Sequence, residues 1–135
     1  MIRVYVAAPK GEVLRARQVA ALVNEVYGAA VCSTWHASYQ DGTPDPTDRE
    51  LAHTILDENL RDLAVADVVL ALPRFGTGVE TYVEIGRALA AGIFVVMSAE
   101  HGGLPLSRVD DGAKVYATDA AALVGIAEIA RCRAH

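Results

Sequence analysis

The sequence predicts a doubly wound α/β fold, a five-stranded parallel sheet with helices on both faces. Two observations carry this. Short β-branched or apolar runs alternate with longer stretches whose apolar residues recur at helical spacing. Two inner runs, "VVLALP" and "IFVVM", are apolar throughout, as strands are when both of their faces are covered.

Taken in order, residues 2–8, "IRVYVAA", are β-branched and close on Pro9 and Gly11, which reads as strand one. Over 12–27, Val13, Leu14, Val19, Leu22, Val23 and Val26 keep helical spacing until Gly28 stops it. "AAVCST", 29–34, reads as strand two. Residues 35–46, "WHASYQDGTPDP", hold a Gly, two Pro and two Asp, and read as a loop longer than a connector needs. The next helix opens with Thr47 or Asp48 as N-cap and Glu50 as first-turn acid. Leu51, Ile55, Leu56, Leu60 and Leu63 form its apolar stripe, and Asp67 ends it. Strand three follows at 68–73, a helix at about 79–91, and strand four in "IFVVM". "SAEHGGLPLSRVDDGA" is an irregular connection. "KVYA" is the last strand, and "TDAAALVGIAEIARCRA" the closing helix, capped by Thr118 or Asp119. With right-handed crossovers, five such strands favour the flavodoxin-like order 2-1-3-4-5. No linker, repeat or low-complexity segment interrupts the pattern, so 1–135 reads as a single domain.

The bulk numbers narrow the function. The net charge is −5 and no Lys/Arg cluster occurs, which argues against duplex DNA or an anionic membrane surface as partner. No apolar run approaches the roughly 20 residues of a membrane helix, and "MIRVYVAA" is a strand, not a signal peptide. Cys32 and Cys132 lie a hundred residues apart, without metal or disulfide spacing, which fits free thiols in a reducing cytoplasm. His53, His101 and His135 form no ligand spacing, so no metal is expected, and no cofactor fingerprint is present.

In this fold a ligand sits beyond the carboxyl ends of the strands, where strands one and three part. "AAPKG", "STWHASY" and "LPRFGTG" converge there. Gly76 and Gly78 let backbone N–H groups approach a ligand, and the helix after them favours anions. A lone G-x-G is weak, however, and a tight structural turn explains it as well. Glu80 falls in the helix's first turn, where a carboxylate stabilises the dipole by ~0.3–1 kcal/mol. Glu84 lies one turn deeper. Its ordinary role is an ion pair with Arg87; its functional role is a nucleophile or general base in the cleft, with the small residues Gly86, Ala88, Ala90 and Ala91 letting the helix press close to the sheet. Trp35 can stack on a base or anchor its loop to the core. His36 can contact phosphate or base, or simply face solvent. Lys10 and Arg74 can hold a 5′-phosphate or be plain surface charges.

"VYVAAP", "ADVVLALP" and "GTGVETYVEIGRALAAG" together resemble the nucleoside 2-deoxyribosyltransferase family, and relatives of it that hydrolyse nucleoside 5′-monophosphates. The resemblance covers most of the chain in layout and is sharpest at residues 4–9 and 67–92. It implies that Glu84, in Val83-Glu84-Ile85-Gly86-Arg87-Ala88, is a covalent nucleophile attacking C1′ of the sugar through an oxocarbenium-like transition state. A second base then takes the sugar in a transferase; water takes it in a hydrolase. It further implies that Tyr5 orients Glu84, and that Ala8, Pro9 and Thr81 line the substrate site. The family's Asp that helps protonate the departing base falls on Asn59, which can hydrogen-bond a base edge but cannot donate a proton as a carboxylic acid does. Asp62 lies three residues on. A family segment that completes a neighbour's site has no match in "EIARCRAH". Family likeness and the Ala-rich helices imply a homodimer or higher homo-oligomer. Two other readings stand beside this one: a non-catalytic nucleotide-binding module of the same shape, and a phosphoribohydrolase of the lysine-decarboxylase-like type, whose P-G-G-x-G-T-x-x-E stretch "PRFGTGVETYVE" only partly matches.

Overall fold

The computed structural model describes residues 1–38, 49–102 and 112–133. Its five strands are β1 (Ile2–Ala7), β2 (Ala29–Val31), β3 (Val68–Ala71), β4 (Phe94–Ser98) and β5 (Ala113–Tyr116). They form one sheet in the order β2-β1-β3-β4-β5, with every adjacent pair parallel. This is the order the sequence predicts. Around it lie α1 (Val13–Glu25), α2 (Trp35–Ser38), α3 (Arg49–Ala64), α4 (Val79–Ala90) and α5 (Asp119–Arg133).

Strand alternation sorts the sheet's two faces. Val4, Val6, Val68, Leu70 and Val96 pack against α1 and α5 through Ala16, Val19, Val23, Ala122 and Ile126. Tyr5, Ala7, Val69, Ala71, Val95 and Met97 point to the other face, toward Leu63 of α3 and Ile85 and Ala88 of α4. Thr118 caps α5: its Oγ1 accepts from the Ala121 amide at 3.0 Å. The Thr47 or Asp48 cap expected for α3 lies outside the described residues, as do 39–46 of the expected loop and most of the connection before β5.

Four local expectations need correction. Strand two ends at Val31, not at residue 34. The expected loop opens as a helical turn, α2, because tertiary contacts hold it: Arg17 Nε donates to the His36 carbonyl at 2.6 Å and the Trp35 indole to the Val6 carbonyl at 2.8 Å. On α4, Ala88 faces the sheet, with Thr81 and Ile85, but Gly86, Ala90 and Ala91 are exposed and do not bring the helix closer. On α3, Leu63 is buried, whereas Leu51, Ile55 and Leu56 of the expected apolar stripe are exposed. The reason is length. The 16-residue helix runs about 24 Å, whereas the four-residue strand it feeds spans about 13 Å. Its amino-terminal half thus extends past what the described strand residues can cover.

Candidate active site

Two loops meet at the carboxyl ends of β1 and β3. Pro9 is buried against Gly78, where a Cβ would lie 2.6 Å from the proline Cγ and 2.8 Å from its Cβ. Gly78 is also the N-cap of α4, with φ 75°. Both the close approach and the left-handed backbone select glycine there. Gly76, two residues earlier, shares the positive φ but has open space around it. The rim is stitched further by an ion pair between Arg74 Nε and Glu12 Oε1, and by the Phe75 amide, which donates to the His101 carbonyl at 3.1 Å.

Below this rim lies Tyr5. Its side chain is wholly buried, 0% exposed, and among the described residues its hydroxyl finds no partner at full hydrogen-bond geometry. The group it meets is the Glu84 carboxylate, through a contact looser than a closed O–H···O bond. Burial raises the Tyr5 pKa above the ordinary tyrosine value, and the charge of Glu84 adds to the shift. The half-buried Glu84 is pushed up to about 7. Desolvation is the main cause; the Tyr5 hydroxyl works against it and the Glu80 charge one turn away works with it. Tyr5 and Glu80, rather than Arg87, are the neighbours that set its protonation. A carboxylate poised near neutrality beside a buried phenol, at the switch point of a parallel sheet, has the character of a nucleophile or a general base. Thr81, 1% exposed, is a second buried hydroxyl without a partner among the described residues; its Oγ1 lies 3.1 Å from where a Gly78 Cβ would stand.

On the β2 side, α3 packs on the same face of the sheet as α4. Asp62 on α3 accepts from the Thr34 amide at 3.1 Å and from the Thr34 hydroxyl at 2.6 Å, which fastens the β2–α2 turn to α3. Asp62 also contributes to the raised Tyr5 pKa, so its charge is felt at the site. Burial and Asp62 push the Cys32 thiol up to about 11, leaving it an inert neutral group at pH 7. Asn59 is half-buried on α3, one turn before Leu63.

Of the residues nominated from sequence, Tyr5, Pro9, Gly78, Thr81 and Glu84 come together in this one place, with Ala8 half-buried in the same turn. Trp35 is tied to β1 by its indole N–H and packs against both core clusters. His36 is 6% exposed, with Nε2 2.9 Å from Ser33 Oγ, and burial together with the Arg17 charge holds it below the ordinary histidine value. Those contacts occupy both side chains within the β2–α2 turn. Arg74 and Gly76 lie exposed on the rim, and Lys10 is half-buried beside it. Sequence reasoning passed over a charged chain behind the rim. Arg15 grips Asp119 through Nε at 2.8 Å and Nη2 at 2.6 Å, Ser98 donates to the same carboxylate, and Glu12 Oε1 stands 4.0 Å from Arg15. The Glu12–Arg15 spacing was the available signal; Asp119 lies too far along the chain for any local pattern to reveal it. Phe75, exposed on the β3–α4 loop, was also missed. Among the described residues, no cluster of His, Cys, Asp and Glu could hold a metal ion, and no helix is long and apolar enough to cross a membrane.

No protein-family model and no curated protein sequence matches this chain. A solved structure does. It is that of a 2-deoxyribosyltransferase from the psychrotolerant bacterium Bacillus psychrosaccharolyticus, with a TM-score of 0.65 over 87% of this chain and 88% of that one, at 17% sequence identity. The chain therefore shares the α/β fold of a 2-deoxyribosyltransferase.

Proposed function

We propose that this protein cleaves or exchanges the N-glycosidic bond of a nucleoside or nucleoside 5′-monophosphate, with Glu84 as the covalent nucleophile. The observation that carries this reading is the meeting of Glu84 with the buried Tyr5 hydroxyl at the carboxyl ends of β1 and β3. The fold likeness to a 2-deoxyribosyltransferase supports it.

In this mechanism ionised Glu84 attacks C1′ from the face opposite the base. The C1′–N bond breaks, its electron pair leaves with the base, and the base takes up a proton. A glycosyl ester on Glu84 results. A second base, or water, then displaces the ester in a second inversion, so configuration at C1′ is retained overall. Tyr5 steadies the carboxylate, and its hydroxyl favours the ionised form that attacks. Asn59 on α3 offers an amide for a base edge; it supplies no catalytic proton, so protonation of the leaving base falls to water.

Incubation with 2′-deoxynucleosides, with and without a second free base, tests this reading by chromatography. Wild-type protein releases base, and a new nucleoside appears if the acceptor is a base. Glu84→Ala lowers the rate by about 10³-fold or more, the scale for loss of a nucleophile. Undiminished turnover by Glu84→Ala overturns the assignment. No base release from any nucleoside or nucleotide favours the reading as a non-catalytic binding module, to which the carboxamide at Asn59 points.

A further inference from the structure

Resting on the glycosyl-transfer reading, we propose that Glu12 is a specificity-determining residue: by holding Arg74 at the rim, it bars substrates that carry a phosphate on the sugar's 5′ carbon. In the proposed pose the base lies toward α3, which carries Asn59 and Asp62, and the sugar's 5′ end lies toward the Pro9–Glu12 turn and the Arg74–Gly78 loop. These two segments are in contact through Pro9 and Gly78.

A 5′-phosphate carries −1.5 to −2 charges at pH 7 and needs cations or amide donors to replace its water. Among the described residues, the arginines near these two segments are already held by protein groups. Arg74 pairs with Glu12. Arg15, only 10% exposed, is held in bidentate fashion by Asp119, with Glu12 behind it. Arg17 donates to the His36 carbonyl, and Lys10 is engaged as well. Drawing Arg74 to a phosphate leaves Glu12, 13% exposed on its side chain, with only the looser Arg15 contact at 4.0 Å. Repulsion of this kind rejects a ligand more strongly than a missing contact does. A neutral 5′-hydroxyl meets none of it.

The test uses Glu84→Gln protein, which binds without turning over. Calorimetry compares 2′-deoxyadenosine and thymidine with their 5′-monophosphates. Each nucleoside is expected to bind at least about tenfold more tightly than its monophosphate. Adding Glu12→Gln, which frees Arg74, is expected to close most of that gap. Equal or tighter binding of the monophosphates to Glu84→Gln overturns the proposal, and this comparison does not depend on the second variant folding. An unchanged gap in Glu12→Gln removes Glu12 as its source and overturns the proposal too. Base release by the wild-type protein separates the two readings: a preference for monophosphates in turnover sinks this inference alone, whereas nucleoside-selective binding with no turnover sustains it and sinks glycosyl transfer.

Discussion

The Tyr5 hydroxyl, buried on the α4 face of the sheet near the carboxyl end of β1, meets the Glu84 carboxylate of α4 without a closed hydrogen bond. Because that contact favours the charged form of Glu84, removing it must move a pH profile. Tyr5→Phe is expected to shift the acid limb of kcat/KM upward in pH and to lower the plateau by about 10–100-fold, in the range of a lost orienting group. Stability should change by less than about 1 kcal/mol, since the hydroxyl has no full hydrogen bond to lose. A pH–rate profile and urea unfolding of the variant check both parts; an unmoved acid limb contradicts the first.

Glu84 itself ties stability to pH in an unusual direction for a carboxylate. Its folded pKa, about 7, stands above its ordinary value of 4.5. At this site the native state thus binds more protons than the unfolded chain between these values, opposite in sign to His36, whose folded value is lowered. The group's stabilisation is full below 4.5 and is lost as pH rises through 7, by an amount on the order of 3 kcal/mol. Asp67 and Asp119 are both held below the ordinary aspartate value, so neither contributes slope in that window. Glu84→Gln is therefore expected to be more stable than wild type at pH 8, with the advantage shrinking toward pH 5. Denaturant unfolding at the two pH values measures this.

The charged chain behind the rim gives an opposite acid limb. Burial alone would raise Asp119, yet hydrogen bonds from Arg15 and Ser98 outweigh it and hold the carboxyl low. Its contribution is present above the ordinary value of 3.8 and is lost as pH falls below it. Asp119→Ala leaves the Arg15 guanidinium buried without its main partner, at a cost of about 3 kcal/mol. Thermal unfolding at pH 7 checks the loss, and Arg15→Met in the same protein should recover part of it.

Two glycines with the same backbone twist should respond differently. Gly76→Ala meets only the left-handed strain, ~1–2 kcal/mol. Gly78→Ala meets that strain and the rigid Pro9 ring as well, adding about 1–3 kcal/mol of overpacking. Melting temperatures of the two variants test the ranking, and a Gly78→Ala protein as stable as Gly76→Ala contradicts the packing of Pro9 on Gly78.

Much of the fold is legible in the sequence because the signals are local. Apolar runs such as Val68–Ala71 state that both faces of a strand are covered, and the alternation of strand and helix leaves few topologies open. Glu84 and Tyr5 are nominated by short segments, but their contact depends on the pairing of β1 with β3 and the docking of α4, which no spacing encodes. The same holds for Glu12 with Arg74 and Arg15 with Asp119, pairs made by tertiary structure alone. Leu51, Ile55 and Leu56 mislead for another reason. Periodicity shows which side of a helix is apolar, and says nothing about whether sheet lies beneath it. Trp35 and His36 are drawn into a helical turn by the Val6 carbonyl, Ser33 and Arg17, against a composition that reads as loop.

The most direct measurement is of the ester itself. Wild-type protein mixed with a 2′-deoxynucleoside and quenched in acid within one turnover should carry an added deoxyribosyl mass, mapped by peptide sequencing to Glu84 and absent from Glu84→Gln. An adduct on any other side chain, or full-rate base release by Glu84→Gln, contradicts a glycosyl-Glu84 intermediate.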